Sequence, residues 1–113
     1  MDSPLLPLMA VLADAAPDAQ VSARLDRTVT PHRLDVDLIW VPAAARGRGV
    51  AQAALTATLE HADAAGWQVA VEPSAGFGAD LRRLVPWYSR HGFTLAGSGR
   101  MIRPALDRAH ARA

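Results

Sequence analysis

Two glycines and two arginines alternate at Arg46-Gly47-Arg48-Gly49, between an apolar run ending Ile39-Trp40-Val41 and an alanine-rich segment opening Val50-Ala51. Glycine lets backbone N–H groups point outward together, because no Cβ blocks the approach of a ligand. A helix that begins directly afterwards adds unpaired N–H donors and a partial positive charge. The guanidinium groups add forked donors. Such a place suits a phosphate or a diphosphate. It is not a Walker loop, since no Gly-Lys-Ser/Thr follows, and Gly47-x-Gly49-x-x-Gln52 lacks the third glycine of a dinucleotide fingerprint. The plain alternative is a strand-to-helix turn with solvated arginines.

The remaining polar residues that could do chemistry are few. Tyr88 is the sole tyrosine, in the stretch Pro86-Trp87-Tyr88-Ser89-Arg90-His91-Gly92-Phe93. Glu72 is one of two glutamates and closes an apolar run. Asp35 and Asp37 alternate with apolar residues upstream. His32, His61, His91 and His110 are scattered without a carboxylate or cysteine pattern, which argues against a metal site. Ser74 and Ser89 have no evident histidine and acid partners. Arg82 and Arg83 read as a solvated face that could also reach a ligand phosphate or an acceptor. Trp40, Trp67 and Trp87 read as packing residues, with Trp87 alternatively lining a cleft.

Elements to position these residues are legible. The chain has 113 residues, half of them apolar, enough for one small domain with a packed core. Leu5, Leu8, Met9 and Leu12 have helical spacing over 4–14, and Pro17-Asp18 ends that helix. Residues 20–29 and 34–41 alternate as strands around a turn at 30–32 and predict an antiparallel hairpin. Leu34, Val36, Leu38 and Trp40 share one face of the second strand. Residues 49–65 form a helix with a stripe of Ala51, Leu55, Leu59 and Ala62, stopped by Gly66. WQVAVEP, 67–73, is a buried strand, so strand, helix and strand imply a parallel crossover. Residues 79–91 are helical with Pro86 inside, 93–97 and 99–104 are short strands, and 105–113 a tail. At the helix end, Gly92 takes the left-handed position and Phe93 folds back toward Tyr88.

Composition narrows the partners. The net charge of +1 argues against a nucleic-acid binder. No cysteine is present, which removes disulfides and thiolate metal sites and makes a cytoplasmic location the default. The apolar N-terminal stretch has no basic leader region and is too short to span a bilayer. All twelve basic residues are arginine and none is lysine. Codon bias in a GC-rich genome explains this, and it would equally suit an enzyme that modifies lysine.

Two segments carry a family resemblance. Arg46-x-x-Gly49-x-Ala51, five residues past Val41, is similar to the acyl-CoA signature Gln/Arg-x-x-Gly-x-Gly/Ala of the GCN5-related N-acetyltransferase superfamily. PWYSRHGF, 86–93, resembles that superfamily's segment of an aromatic, a tyrosine, three residues and Gly-Phe. Both stand in the family order with WQVAVEP between, and the likeness covers residues 20–103. The resemblance implies an α+β fold of α/β/α type, with a mixed, mostly antiparallel twisted sheet, splayed central parallel strands and flanking helices. It implies acetyl-CoA as co-substrate. The backbone of Ile39, Trp40 and Val41 would run beside the pantetheine arm, and the amides of Arg46, Gly47, Arg48, Gly49, Val50 and Ala51 would hold the diphosphate. Tyr88 would protonate the leaving thiolate, and a backbone N–H near Val41 would stabilise the carbonyl oxygen. A base must free the acceptor amine of its proton. Glu72 is the first candidate, with Asp35 and Asp37 as alternatives.

The sequence departs from the family in three places. Pro73-Ser74 stands where an asparagine often contacts the cofactor arm. Pro42 follows the strand valine directly rather than two residues later. The N-terminal region that walls the acceptor site is reduced to residues 1–19 of what reads as a single domain over 1–113. An open wall suits a bulky primary amine, on a protein lysine or N-terminus, or a site completed by the partner subunit of a homodimer. The shortened N-terminus also suits a second reading: a non-catalytic module that keeps the fold and docks to a protein or nucleic acid.

Overall fold

The computed structural model describes residues 5–73 and 81–105, the side chains of Leu81 and Ser98 excepted. The start of the expected helix at 79–80 and most of the 105–113 tail lie outside the described residues. Helix α1 spans Leu6–Ala15, with Pro7 in its first turn, where the missing N–H is no loss. Strands β1 (Gln20–Asp26) and β2 (Arg33–Trp40) form the expected antiparallel hairpin. Helix α2 (Val50–Ala65) leads to β3 (Gln68–Val71), which pairs in parallel with β2. Helix α3 spans Leu81–Ser89, and β4 (Thr94–Leu95) and β5 (Met101–Arg103) close the chain as an antiparallel pair. The sheet order is β1-β2-β3-β5-β4, antiparallel everywhere but at the β2–β3 junction.

The core explains why these segments take these forms. Helix α2 buries Ala54, Leu55, Thr58, Leu59 and Ala62, spaced three and four apart, against Leu34, Val36, Val69 and Val71 of the sheet. Thr58 is buried because its hydroxyl donates back to the Ala54 carbonyl at 2.8 Å. Leu8 and Leu12 from α1 and Tyr88 and Phe93 from the last third of the chain join the same cluster. Gly66 ends α2 at φ +77°, with the Trp67 N–H bonded to the Ala62 carbonyl at 2.9 Å. The same closure ends α3: Gly92 sits at φ +89° and the Phe93 N–H reaches the Tyr88 carbonyl at 3.3 Å.

One expectation fails in the hairpin. Ser22 pairs with Leu38 but Ala23 pairs with Val36, so Asp37 has no residue opposite it. This bulge shifts the alternation by one residue, as an extra residue in one strand must. Leu38 and Trp40 therefore do not continue the face of Leu34 and Val36. Ile39 packs on the buried cluster instead, while Leu38 lines an apolar cleft with Met9, Leu12 and Val21.

Leu55 is fully buried where α2 meets the sheet. Leu55→Ala should lower stability by about 2–5 kcal/mol, read from urea denaturation; a loss below about 1 kcal/mol would contradict this placement of α2.

Candidate functional site

The stretch between β2 and α2 has two parts with different backbone commitments. Ala43–Ala45 form one turn of 3-10 helix after Pro42. The Ala45 N–H bonds to the Pro42 carbonyl at 2.9 Å and the Arg46 N–H to the Ala43 carbonyl at 3.3 Å. Gly47 and Gly49 then both adopt positive φ, +80° and +74°. That conformation costs an L-residue roughly 1–2 kcal/mol, which is why the alternation needs glycine. A Cβ placed on either glycine would meet nothing within 4 Å, so both open onto free space.

Downstream, the first helical donor is Ala53, bonded to the Gly49 carbonyl at 2.9 Å. The amides of Val50, Ala51 and Gln52 are thus the orphan donors of α2. Among the described residues, no amide from Gly47 to Gln52 has a partner. The run of amides without a partner therefore starts at Gly47, since the 3-10 turn uses the Arg46 amide. The Arg46 side chain has its own task. Its Nε donates to the Val41 carbonyl at 3.0 Å, tying the loop back to the end of β2.

A cleft of ≈ 200 Å³ lies over this segment, lined by Val41, Arg46, Gly47, Gly49, Val50, Ala51 and, from α3, Trp87. Six predicted site residues meet there. Arg48 is exposed and outside the lining, and Ile39 packs on the core. Trp40 is half-buried. The parallel ladder ends at Val36–Val71, where β3 ends, while β2 continues to Trp40.

Tyr88 follows the Trp87 that lines the cleft, and the two rings are tilted with centroids 5.0 Å apart. Phe93 packs edge-on against the Tyr88 ring at 5.4 Å, as the helix stop predicts. The phenol side chain is largely buried, and burial pushes its pKa above the ordinary value of 10.0. Among the described residues no buried side-chain polar atom lacks a partner, and none of those residues bonds the Tyr88 hydroxyl, so that oxygen reaches a surface.

The three carboxylate candidates differ. Asp37 is held by Arg24 at 2.9 and 3.0 Å. Asp35 lies between Arg33 at 2.7 Å and Arg100 at 2.8 Å. Glu72 is exposed just past the end of β3, with no ion pair among the described residues. Ser74 lies outside the described residues. Among those described, no group of histidine and acidic residues could hold a metal.

Sequence reasoning missed Gln52, which lines the same cleft. Its Oε1 accepts the Trp87 indole N–H at 2.9 Å, and its Nε2 reaches His91 Nε2 at 3.1 Å. The available signal was positional: Gln52 occupies the third-glycine place of the fingerprint, and Trp87 and His91 lie four apart along the chain.

Backbone comparison places this arrangement among known folds. The chain superposes on Arabidopsis thaliana Naa50 in complex with the bisubstrate analogue CoA-Ac-MVNAL, with a TM-score of 0.56 and 14% identity over 74% of this chain and 61% of that one. The two chains share a fold. A NatC complex bound to Gag peptide and CoA matches with a TM-score of 0.54 and 17% identity, over 79% of this chain and 62% of that one. Ard1 from Thermoplasma volcanium gives a TM-score of 0.54 at 15% identity, over 89% and 80% of the two chains. The chain thus spans under two thirds of the first two relatives. No family model and no curated protein matches the sequence itself.

Burial favours the neutral phenol of Tyr88. Its contribution to stability is fully present below the unfolded value near 10 and is lost as pH rises through the higher folded value. In alkaline denaturation above about pH 10, the native chain should therefore lose stability more steeply than Tyr88→Phe. Parallel curves would show that the ring is not desolvated.

Proposed function

We propose that the protein is an N-acetyltransferase that moves the acetyl group of acetyl-CoA to a primary amine. The observation that carries this reading is the run of unpartnered amides from Gly47 to Gln52, opening on a cleft whose far wall precedes Tyr88. A diphosphate is the ligand that six converging N–H donors at a helix start suit best. The residues present fit coenzyme A, since the positive-φ glycines leave open space where its diphosphate would lie.

In this reading the diphosphate is held by backbone alone, and the pantetheine arm follows the end of β2 past Trp40 and Val41. The acceptor nitrogen attacks the thioester carbonyl; a C–N bond forms and the C–S bond breaks. The Tyr88 hydroxyl gives its proton to the departing sulfur. Burial holds the phenol in its neutral, protonated form at neutral pH, so it has a proton to give. Glu72 takes the amine's proton, directly or through water. Asp35 and Asp37 are set aside for this role because arginines already hold them. The acceptor is a peptide or protein amine. Support for this comes from two structural neighbours that hold peptide or peptide-linked ligands with CoA. A cytoplasmic location and a homodimer remain parts of this proposal; among the described residues no helix is long and apolar enough to cross a membrane.

The test is thiol release from acetyl-CoA with a panel of peptides, proteins and small amines, beside calorimetry with CoA. Tyr88→Phe should lose about 10- to 1000-fold in kcat while binding CoA normally; normal turnover would remove Tyr88 as the acid. Gly49→Glu should abolish CoA binding by placing a carboxylate in the cradle, and unchanged affinity would refute the diphosphate site. CoA binding without turnover on any acceptor would replace the enzyme with a docking module of the same fold.

A further inference from the structure

Helix α3 carries Tyr88, yet little in its own sequence holds it in place. It has nine residues and includes Pro86, which removes one N–H from its ladder. A helix that short is marginal without tertiary contacts. Its C-terminal side is tied by Arg103, whose Nε donates to the His91 carbonyl at 3.0 Å while the guanidinium grips Asp63 of α2 at 2.6 and 3.1 Å. Its cleft side is tied by Gln52. The one amide meets two residues four apart on the chain: Oε1 receives the Trp87 indole proton, and His91 Nε2 lies 3.1 Å from Nε2 and 3.3 Å from Oε1, with the imidazole tautomer setting which of the two it bonds. A third contact, Nε2 to Thr56 Oγ1 at 3.4 Å, steadies the side chain along α2. The Trp87 and His91 rings meet edge-on at 5.7 Å, so the amide faces a rigid pair.

Gln52 is also the last residue of the amide cradle. Its backbone N–H faces the anion site while its side chain holds the helix that brings the phenol. We propose that Gln52 is a positioning residue: it couples the diphosphate end of α2 to α3 through the Trp87 indole, and so fixes the distance from the cradle to the Tyr88 hydroxyl. This rests on the acetyl-transfer reading for its kinetic consequence, though not for the latch itself. A hydrogen bond that serves only to stabilise would lower folding stability and leave kcat intact. A latch that sets the reach of the acid lowers kcat and leaves CoA binding nearly unchanged, because the amides that bind the diphosphate remain.

The experiment is a double-mutant cycle of Gln52→Leu and Trp87→Phe, with Gln52→Glu as the conservative rescue. It reads kcat, CoA affinity by calorimetry, and hydrogen exchange of the Trp87 indole proton by NMR. Gln52→Leu should lower kcat by about 10- to 100-fold, the usual effect of misplacing a reacting group, with CoA affinity changed less than about threefold. The double variant should be no slower than the slower single one, because both remove the same link. Gln52→Glu keeps an oxygen for the indole but puts a carboxylate beside the diphosphate site, so it should recover most of kcat at saturating CoA while weakening CoA binding. Additive losses, a CoA affinity that falls in step with kcat, or failure of Gln52→Glu to recover would each overturn the assignment. The indole proton separates this idea from the enzymatic reading. It should exchange slowly in the native chain and faster in Gln52→Leu, whether or not the protein turns over. Equal exchange rates in the two would show that the latch does not exist, while absence of heat with CoA would sink the acetyltransferase and leave the latch standing.

Discussion

The structure turns on the mismatch in length between its two parallel strands. Only Arg33–Val36 of β2 pair with Gln68–Val71 of β3, and β2 then continues alone on that side to Trp40. Among the described residues, residues 37–40 have no strand partner on that edge, and a strand needs a partner for its N–H and C=O groups. On its other edge β2 stays paired with β1 through Gln20–Ser22, and the bulge at Asp37 adds the local bend. β2 thus outruns β3 by four residues at the sheet's centre. It also delivers the chain to the glycine loop, where the direction reverses into α2.

That geometry yields a site made chiefly of backbone. The 3-10 turn uses the amides of Ala45 and Arg46, and those of residues 47–52, which include the positive-φ glycines, have no partner among the described residues. Side chains act as ties: Arg46 to Val41, Gln52 to Trp87 and His91, Arg103 to Asp63. This division explains how a chain of near-neutral net charge could hold a strongly anionic ligand. The local field of a helix start and aimed amides does not register in a count of charges.

Much of this was legible in the sequence because the deciding signals were local. Gly47, Gly49, Gly66 and Gly92 all sit at positive φ, where a residue with a Cβ is strained, so their positions marked the loop and two helix ends. The buried stripe of α2 came from 3.6-residue spacing, and Phe93 met Tyr88 because the helix stop dictates it. The features that stayed hidden depended on contacts between distant residues. The bulge at Asp37 is set by how β1 and β2 register, and no residue type announces it. The engagement of Asp35 by Arg100 joins positions 65 apart, and that of Gln52 by Trp87 joins positions 35 apart. Alternation alone therefore gave the wrong face for Leu38 and Trp40, and composition alone gave Gln52 no role.

The central claim is that the main-chain amides between β2 and α2 grip a diphosphate. Its most direct test is an amide-resolved NMR titration of the protein with coenzyme A. The account predicts that the largest shifts fall on the N–H groups of residues 47–52, with smaller ones at Trp40 and Val41. Resonances of 47–52 that stay fixed while others move would contradict it.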